Sequence, residues 1–382
     1  QTGSAVPLVL GNRHGTPFLS DVLRQLRDEG ARRILMVPTT AFSSYSGCRQ
    51  YREDAASALA EAGVTDMTID MLPPFHEAPG FSTANAHAVM NAFSQIPPTP
   101  LQATRVVFVT HSIPESMDET SGPGDGDGRA YSADQAETAA AILADVDTTL
   151  GTDLPGGLAF CSRSGSPRTP WLEPDVNDRL RELAEEGIRH VVLVPLGFVS
   201  DHMEVVHDLD VEAAETAAEI GLGITRVPTP GTDPVFVAAL ADLLLERAAQ
   251  ARGEDPVRAT WRDLGSHPSV CPLGCCPNLQ SARPALCGPG CTAAQIGQKR
   301  RLRRDGPGQT KRHREARRRL KANVVSGHHP RGDVDRERHP GSADGFALET
   351  VDKNDVSQRV VDLHDIEGKA HLLPAGHRAK PL

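Results

Sequence analysis

Over roughly the first 250 positions, short β-branched and apolar runs alternate with longer stretches whose apolar residues recur every three or four places. The runs at 6–10 (VPLVL), 34–38 (ILMVP), 67–72 (MTIDML), 105–110 (RVVFVT), 157–161 (GLAFC), 190–195 (HVVLVP) and 223–228 (GITRVP) predict strands. Helical periodicity predicts helices over 17–30, 50–63, 81–95, 132–149, 175–188, 210–220 and 233–252, the last with Pro near its start. Such alternation builds parallel sheets with helices on both faces, because each parallel connection needs a crossover that covers one face. The expected class is α/β. The loop SGPGDGDGRA (121–130) resembles part of an EF-hand but lacks the closing acid, so it reads as a plain turn.

The periodicity stops near residue 254. Residues 262–291 are rich in Pro, Gly and Cys, and 292–382 in Arg, His, Gly and Asp with almost no apolar face, so the latter are expected to be disordered. With 382 residues, 39% of them hydrophobic, the chain has enough apolar material for a sizeable core. No stretch approaches the ~20 apolar residues that span a bilayer. The opening QTGSAVPLVLGNRHG shows no Met and no signal-peptide pattern, as if the chain begins partway into a domain. The net charge of -10 conceals an asymmetry: residues 299–321 hold twelve Lys/Arg against Asp305 and Glu315, and the remaining 28 basic and 48 acidic residues give -20. An acidic body argues against a nucleic-acid surface there, whereas the basic run is either a solvated tail or a segment for acidic lipid or nucleic acid. Five of the seven Cys fall between Cys271 and Cys291. Without a secretory signal, metal ligation is favoured over disulfides for such a cluster.

In α/β sheets ligands sit beyond the carboxyl ends of strands, and two titratable clusters occupy that position. His111 follows the strand RVVFVT directly and precedes a Pro-containing loop. The stretch GFVSDHMEVVHDLD (197–210) follows HVVLVPL. If both strands share one parallel sheet, the two clusters rim one cleft. His202 and His207 lie five apart, about 140° around a helix of 3.6 residues per turn, a poor spacing for one zinc ion. Glu204 and Asp208, four apart, share a helix face and suit either a proton acceptor or a hard-cation relay; equally, they suit the solvated acidic first turn of a helix. A third segment, FCSRSGSPRTPWLEPDVND (160–178), carries Cys161, expected as a buried thiol of the cleft wall, and Trp171. The Trp lines an apolar wall or plugs the start of a helix.

The consecutive motifs SSYSGCRQYRED (43–54), HSIPESM (111–117), SRSGSPRTPWLEPDVND (162–178), GFVSDHMEVVHDLD and TPGTDP (229–234) resemble the ferrochelatase family, most closely its actinobacterial coproporphyrin III members, over about residues 5–291. The resemblance implies two Rossmann-like lobes with a porphyrin cleft between them. It implies Fe(II) insertion into coproporphyrin III to give coproheme, with protoporphyrin IX as the alternative substrate. His111 matches the family's active-site His, and Glu204 matches the paired acid across the cleft. Tyr51 matches a porphyrin contact, while Ser162, Arg163 and Trp171 match the cleft wall. Asp208 then serves as a relay for Fe2+ beside His111 and Glu204. Some relatives hold a [2Fe–2S] cluster on three C-terminal Cys and one internal Cys, which implies Cys48, Cys271, Cys275 and Cys276 here. Cys287 and Cys291 are alternative ligands, and zinc is the alternative metal. On this reading residues 1–104 are the remainder of an N-terminal lobe that lacks its first strands and helices. Residues 105–253 are the C-terminal lobe with His111 and Glu204, 254–291 the cluster-binding segment, and 292–382 a basic, His-rich tail without counterpart in the family. A cytoplasmic monomer is implied, with weak membrane-surface or heme-pathway contacts at most. A catalytically impaired iron–sulfur or porphyrin-binding fragment is the reading from a different class.

Overall fold

The computed structural model describes residues 6–96, 99–123, 128–262, 264–272 and 274–286; the basic run, the predicted tail, Cys287 and Cys291 lie outside them. The described chain is α/β, with a two-stranded and a four-stranded parallel sheet. In the first lobe α1 (Leu19–Asp28), β1 (Arg33–Met36), α2 (Gln50–Ala62), β2 (Thr68–Met71) and α3 (Pro79–Phe93) follow in order. Strands β1 and β2 pair in register from Arg33 opposite Thr68 to Met36 opposite Met71. The apolar faces of α1 and α2 close over Ile34, Met36 and Ile69. The run at 6–10 forms no strand, contrary to its composition: Val6 and Leu8 are largely exposed, and the nearest bridge pairs Asn12 with Phe18. A strand needs a partner to satisfy its backbone, and none lies beside this run among the described residues.

The second lobe holds β3 (Thr104–His111), α4 (Glu115–Glu119), α5 (Ala130–Leu150), β4 (Gly156–Cys161), α6 (Val176–Glu185), β5 (His190–Val194), α7 (Met203–Val206), α8 (Ala213–Ile220), β6 (Gly223–Arg226) and α9 (Pro234–Ala251). Its sheet has the order β4-β3-β5-β6. Along the central strands, alternate residues feed opposite cores. Val106, Phe108, Val192 and Val194 pack on the side of α3, α5 and α9. Val107, Val109, Val191 and Leu193 pack on the side of α6 and α8. This two-sided burial explains why β5 reads as an uninterrupted apolar run rather than an alternating one.

The last helix returns to the first lobe. Gly80 of α3 lies so close to α9 that any Cβ would collide with the Val235 carbonyl and the Ala239 methyl. On α9, Arg247 reaches back to Asp70 of β2 at 2.5 Å, with both side chains buried, and Arg33 takes the other carboxylate oxygen at 2.5 Å.

The strand order also creates the cleft. From β3 the chain crosses to β4 on one side, and from β5 it crosses to β6 on the other. The carboxyl ends of β3 and β5 are therefore a topological switch point, where opposite crossovers leave a crevice. His111 ends β3, and the segment after β5 supplies the acids.

Candidate active site

Two contacts bring the exits of β3 and β5 together. The Gly197 N–H donates to the Val109 carbonyl at 3.1 Å. A Cβ at Gly197 would lie 2.8 Å from Thr110 Cα, so only glycine permits this approach. From there the chain runs through α7 into a π-helical turn, His207–Glu212, before α8 begins, so the helix predicted over 210–220 starts earlier, at Met203. The wider turn changes the angular spacing of successive side chains, and π-helical turns recur at functional sites.

His111 and Glu204 face each other, with Nε2 3.4 Å from Oε1. The other ring nitrogen, Nδ1, lies 2.5 Å from the Ser112 carbonyl, which can only accept, so Nδ1 carries a proton and Nε2 is the nitrogen offered to the cleft. Burial pushes the imidazole pKa of His111 down, but the bond and charge of Glu204, the Ser112 carbonyl and the charge of Asp208 outweigh it and raise the value above 6.5. In return the bond to His111 holds Glu204 below its ordinary 4.5, against the opposing effect of burial.

The histidine backbone is equally well held. Tyr131 donates its hydroxyl to the His111 carbonyl at 2.8 Å, and Thr110 donates to Gln135 at 2.9 Å, so α5 braces the end of β3. The Ser112 N–H bonds the Cys161 carbonyl of β4 at 2.8 Å, and the Ser112 hydroxyl donates to the Leu172 carbonyl at 2.8 Å. Tyr131, Gln135, Ser112 and Gly197 are positioning residues; Ser112 and Gly197 stand inside HSIPESM and GFVSDHMEVVHDLD, yet nothing in those motifs marks their role. Their bonds span up to 88 positions and leave no local spacing to detect.

Asp208 is held at the exit of β4. Its carboxylate accepts a short hydrogen bond from Ser162, whose backbone sits at φ 60, a left-handed conformation rare for a non-glycine residue. Strain of this kind persists where surrounding contacts over-determine it, often at functional sites. Cys161 is buried, as expected for a wall thiol, and burial raises its pKa. Arg163 turns toward the Pro167 and Thr169 carbonyls. Trp171 bridges Pro114, and its indole N–H finds no acceptor among the described residues. Tyr51 lies apart on α2, its hydroxyl 3.5 Å from that of Thr39. The remaining charges of the stretch are engaged locally: Arg226 clamps Asp201 at 2.8 Å and Asp210 at 2.5 Å. His202 packs on Phe198, while His207 faces Asp208 and Glu212, each at 3.7 Å.

A family model described as ferrochelatase matches residues 1–248. The chain belongs to the ferrochelatase family. It is 45% identical over 291 residues to the coproporphyrin III ferrochelatase of Streptomyces griseus subsp. griseus, an alignment covering 75% of this chain and 77% of that protein. It is 43% identical to the coproporphyrin III ferrochelatase of Streptomyces coelicolor over the same shares. A solved structure of SirB from Bacillus subtilis with Fe3+ aligns over 65% of this chain and 83% of its own at 15% identity, with a TM-score of 0.42, too distant to bear on function.

In this ferrochelatase-family chain a second pocket gathers thiols. Cys48, Cys275 and Cys276 are buried against one another with Cys271 beside them, and Cys275 Sγ lies 3.7 Å from Cys276 Sγ. The segment is anchored by Gly122, whose N–H donates to Cys276 Sγ at 3.2 Å and whose carbonyl accepts from the Cys276 N–H at 3.0 Å. Hydrogen bonding to Cys275 and burial raise the Cys271 pKa. Cys275 is pushed up to about 12, because its bond to Cys276 and burial outweigh the opposing bond from Cys271. Arg52, buried nearby, leaves both terminal guanidinium nitrogens without a hydrogen-bond partner among the described residues and favours the thiolates of Cys271 and Cys275. Four convergent sulfurs, an amide aimed at one of them and an adjacent cation fit an anionic iron–sulfur cluster. Cys287 and Cys291 lie outside the described residues.

Proposed function

We propose that the protein inserts Fe(II) into coproporphyrin III, yielding coproheme and two protons, as a cytoplasmic step of heme biosynthesis. The observation that carries this reading is the His111–Glu204 pair, set at 3.4 Å on the switch point of the sheet. The names of the Streptomyces relatives support the substrate. Metallation removes two protons from inner pyrrole nitrogens, so a base must stand against the macrocycle face. His111 accepts a proton on Nε2, since Nδ1–H is committed to Ser112, and Glu204 stabilises the imidazolium that forms. Carboxylate and imidazole together also suit Fe(II), which as substrate must exchange its water for protein ligands before reaching the ring. Asp208, tied to Ser162, fixes the cleft wall and adds negative charge beside His111. Arg163, Trp171 and Tyr51 serve as substrate contacts, with the indole N–H of Trp171 available to an acceptor on the porphyrin.

Cys48, Cys271, Cys275 and Cys276 hold a [2Fe–2S] cluster in this proposal. Such a cluster supplies thiolate-ligated iron able to take up one electron. These residues bind and orient it, and Gly122 tunes the sulfur of Cys276.

The deciding assay presents Fe(II) anaerobically with coproporphyrin III and, separately, protoporphyrin IX, following loss of porphyrin fluorescence. Faster turnover of coproporphyrin III is expected. Faster turnover of protoporphyrin IX would overturn the substrate, and a folded protein inert toward both would overturn the enzymatic reading. His111→Ala is expected to lower the rate by about 10²–10⁴-fold. A visible absorption spectrum with [2Fe–2S] bands supports the cluster; bound zinc with a featureless spectrum overturns it.

A further inference from the structure

Three groups far apart in sequence meet at one mostly buried point. His76 lies in the loop between β2 and α3, Asp134 in the first turns of α5, and His267 in the segment leading to Cys271. One potential ligand atom from each lies within 4.8 Å of the others. Asp134 Oδ2 is 3.9 Å from His76 Nε2 and 3.9 Å from His267 Nε2. The two imidazoles meet edge to face, with centroids 5.1 Å apart, and Phe42 stacks on His76. The side chains are mostly buried, at 5%, 19% and 16% exposure, which excludes a casual surface grouping.

The hydrogen bonding sets the tautomer of His76. Its Nδ1 lies 3.2 Å from the Ala41 carbonyl, which can only accept, and 3.6 Å from Oε2 of Glu77. Nδ1 therefore bears the proton, and the Nε2 lone pair points toward Asp134. This is the arrangement by which an outer carboxylate or carbonyl orients a metal-binding imidazole. Glu77 is 1% exposed, and its Oε2 has no hydrogen-bond partner among the described residues, an unmet buried acceptor next to the group. Burial pushes both imidazoles down to about 4, consistent with neutral rings. The Ser43 hydroxyl lies 2.5 Å from the same His267 Nε2, so a bound ion takes the place of this bond and leaves the Ser43 oxygen beside it as a neutral donor.

We propose that His76, Asp134 and His267 form a second metal site, distinct from the His111–Glu204 pair, for a first-row divalent ion of the zinc or ferrous class. Two imidazoles and one carboxylate match that class in donor softness. Bonds of about 2.0–2.1 Å at tetrahedral angles place ligand atoms roughly 3.3 Å apart. The 3.9 Å separations must shorten by about 0.6 Å to reach that value. The bound ion staples the loop after β2, helix α5 and the segment that delivers Cys271, so its binding energy becomes folding energy for the thiol pocket. Helix α5 also carries Tyr131, which holds the His111 carbonyl, so the staple stiffens the brace behind the active site.

The test uses the full chain, stripped of metal and titrated anaerobically with Co2+. Wild type is expected to bind one more equivalent than His267→Ala or the near-isosteric Asp134→Asn. The extra equivalent contributes visible ligand-field absorption without sulfur-to-cobalt charge-transfer bands. This separates it from the thiol pocket, and ions held by His111 and Glu204 cancel in the difference. Affinity at this site should fall by about 100-fold or more, the upper end of what loss of an outer-shell partner alone costs. Zn2+ should raise the melting temperature of wild type more than that of either variant. Equal Co2+ stoichiometry and equal Zn2+ shifts in wild type and both variants, each folded by circular dichroism, would overturn the site.

Discussion

At the residue scale the central object is one imidazole with its two nitrogens assigned different tasks. Nδ1–H donates to the Ser112 carbonyl, and Glu204 faces Nε2. The two pKa shifts carry opposite signs for pH. The contribution of His111 to stability is complete below 6.5 and is lost as pH rises through its raised value. That of Glu204 is complete above 4.5 and is lost as pH falls through its lowered value. The pair is thus strongest between the two. Removing the charge in Glu204→Gln leaves burial less opposed, so the His111 pKa should drop. The acidic limb of the pH–rate profile, set by protonation of this base, should then move to lower pH while the maximal rate falls. A pH–rate profile, or an NMR titration of the His111 ring, checks this; an unmoved His111 pKa would remove Glu204 from the assignment. Both residues were legible as chemistry after a strand. The pairing of Asp208 with Ser162 was not, because the two lie 46 positions apart and meet only through the fold.

Elements explain why these residues meet. The approach of β5's exit to β3's depends on Gly197, where a methyl group would press on Thr110 Cα and Cβ, both at 2.8 Å, and on the His111 nitrogen at 3.2 Å. Backbone atoms cannot swing aside as a long side chain can. Gly197→Ala should therefore cost about 1–3 kcal/mol of stability, the usual range for overpacking. It should also widen the His111–Glu204 gap and lower turnover by more than about tenfold, since misplacement of about 1 Å can cost 10²-fold. Urea denaturation and steady-state kinetics measure the two effects. Ser162→Ala is the companion case: without the hydroxyl that ties it to Asp208, the left-handed backbone at φ 60 is free to relax. Turnover should fall with little change in stability. Six of the seven predicted strands appear within a few residues of their expected ends. The seventh, at 6–10, had strand-like composition but no neighbour among the described residues to complete its hydrogen bonds.

At the scale of the whole molecule, α9 ties the lobes together. Arg247 and Arg33 share Asp70, which is only 4% exposed. Breaking a buried pair by deleting one partner leaves a charge without compensation and typically costs 3–5 kcal/mol. Arg247→Met should lie near the lower end, about 3 kcal/mol, because Arg33 stays bound. Adding Asp70→Asn should recover much of the loss, and a double-mutant cycle by urea denaturation gives the coupling. Among the described residues no helix is long and apolar enough to cross a membrane.

The chain by itself determined what depends on neighbours a few positions apart. It set the alternation of strands and helices, the apolar runs of the central sheet, His111 at a strand's end and the acids that follow the next central strand. Periodicity and capping are local, so they are written in adjacent letters. Only the tertiary structure decided which distant groups meet. The strand order β4-β3-β5-β6 placed the switch point, and with it the 3.4 Å pair. The close passage of Gly197, the meeting of Cys48 with Cys271, Cys275 and Cys276, and the convergence of His76, Asp134 and His267 arose the same way. Contacts of that kind depend on how whole layers pack, and no spacing within a single segment encodes them.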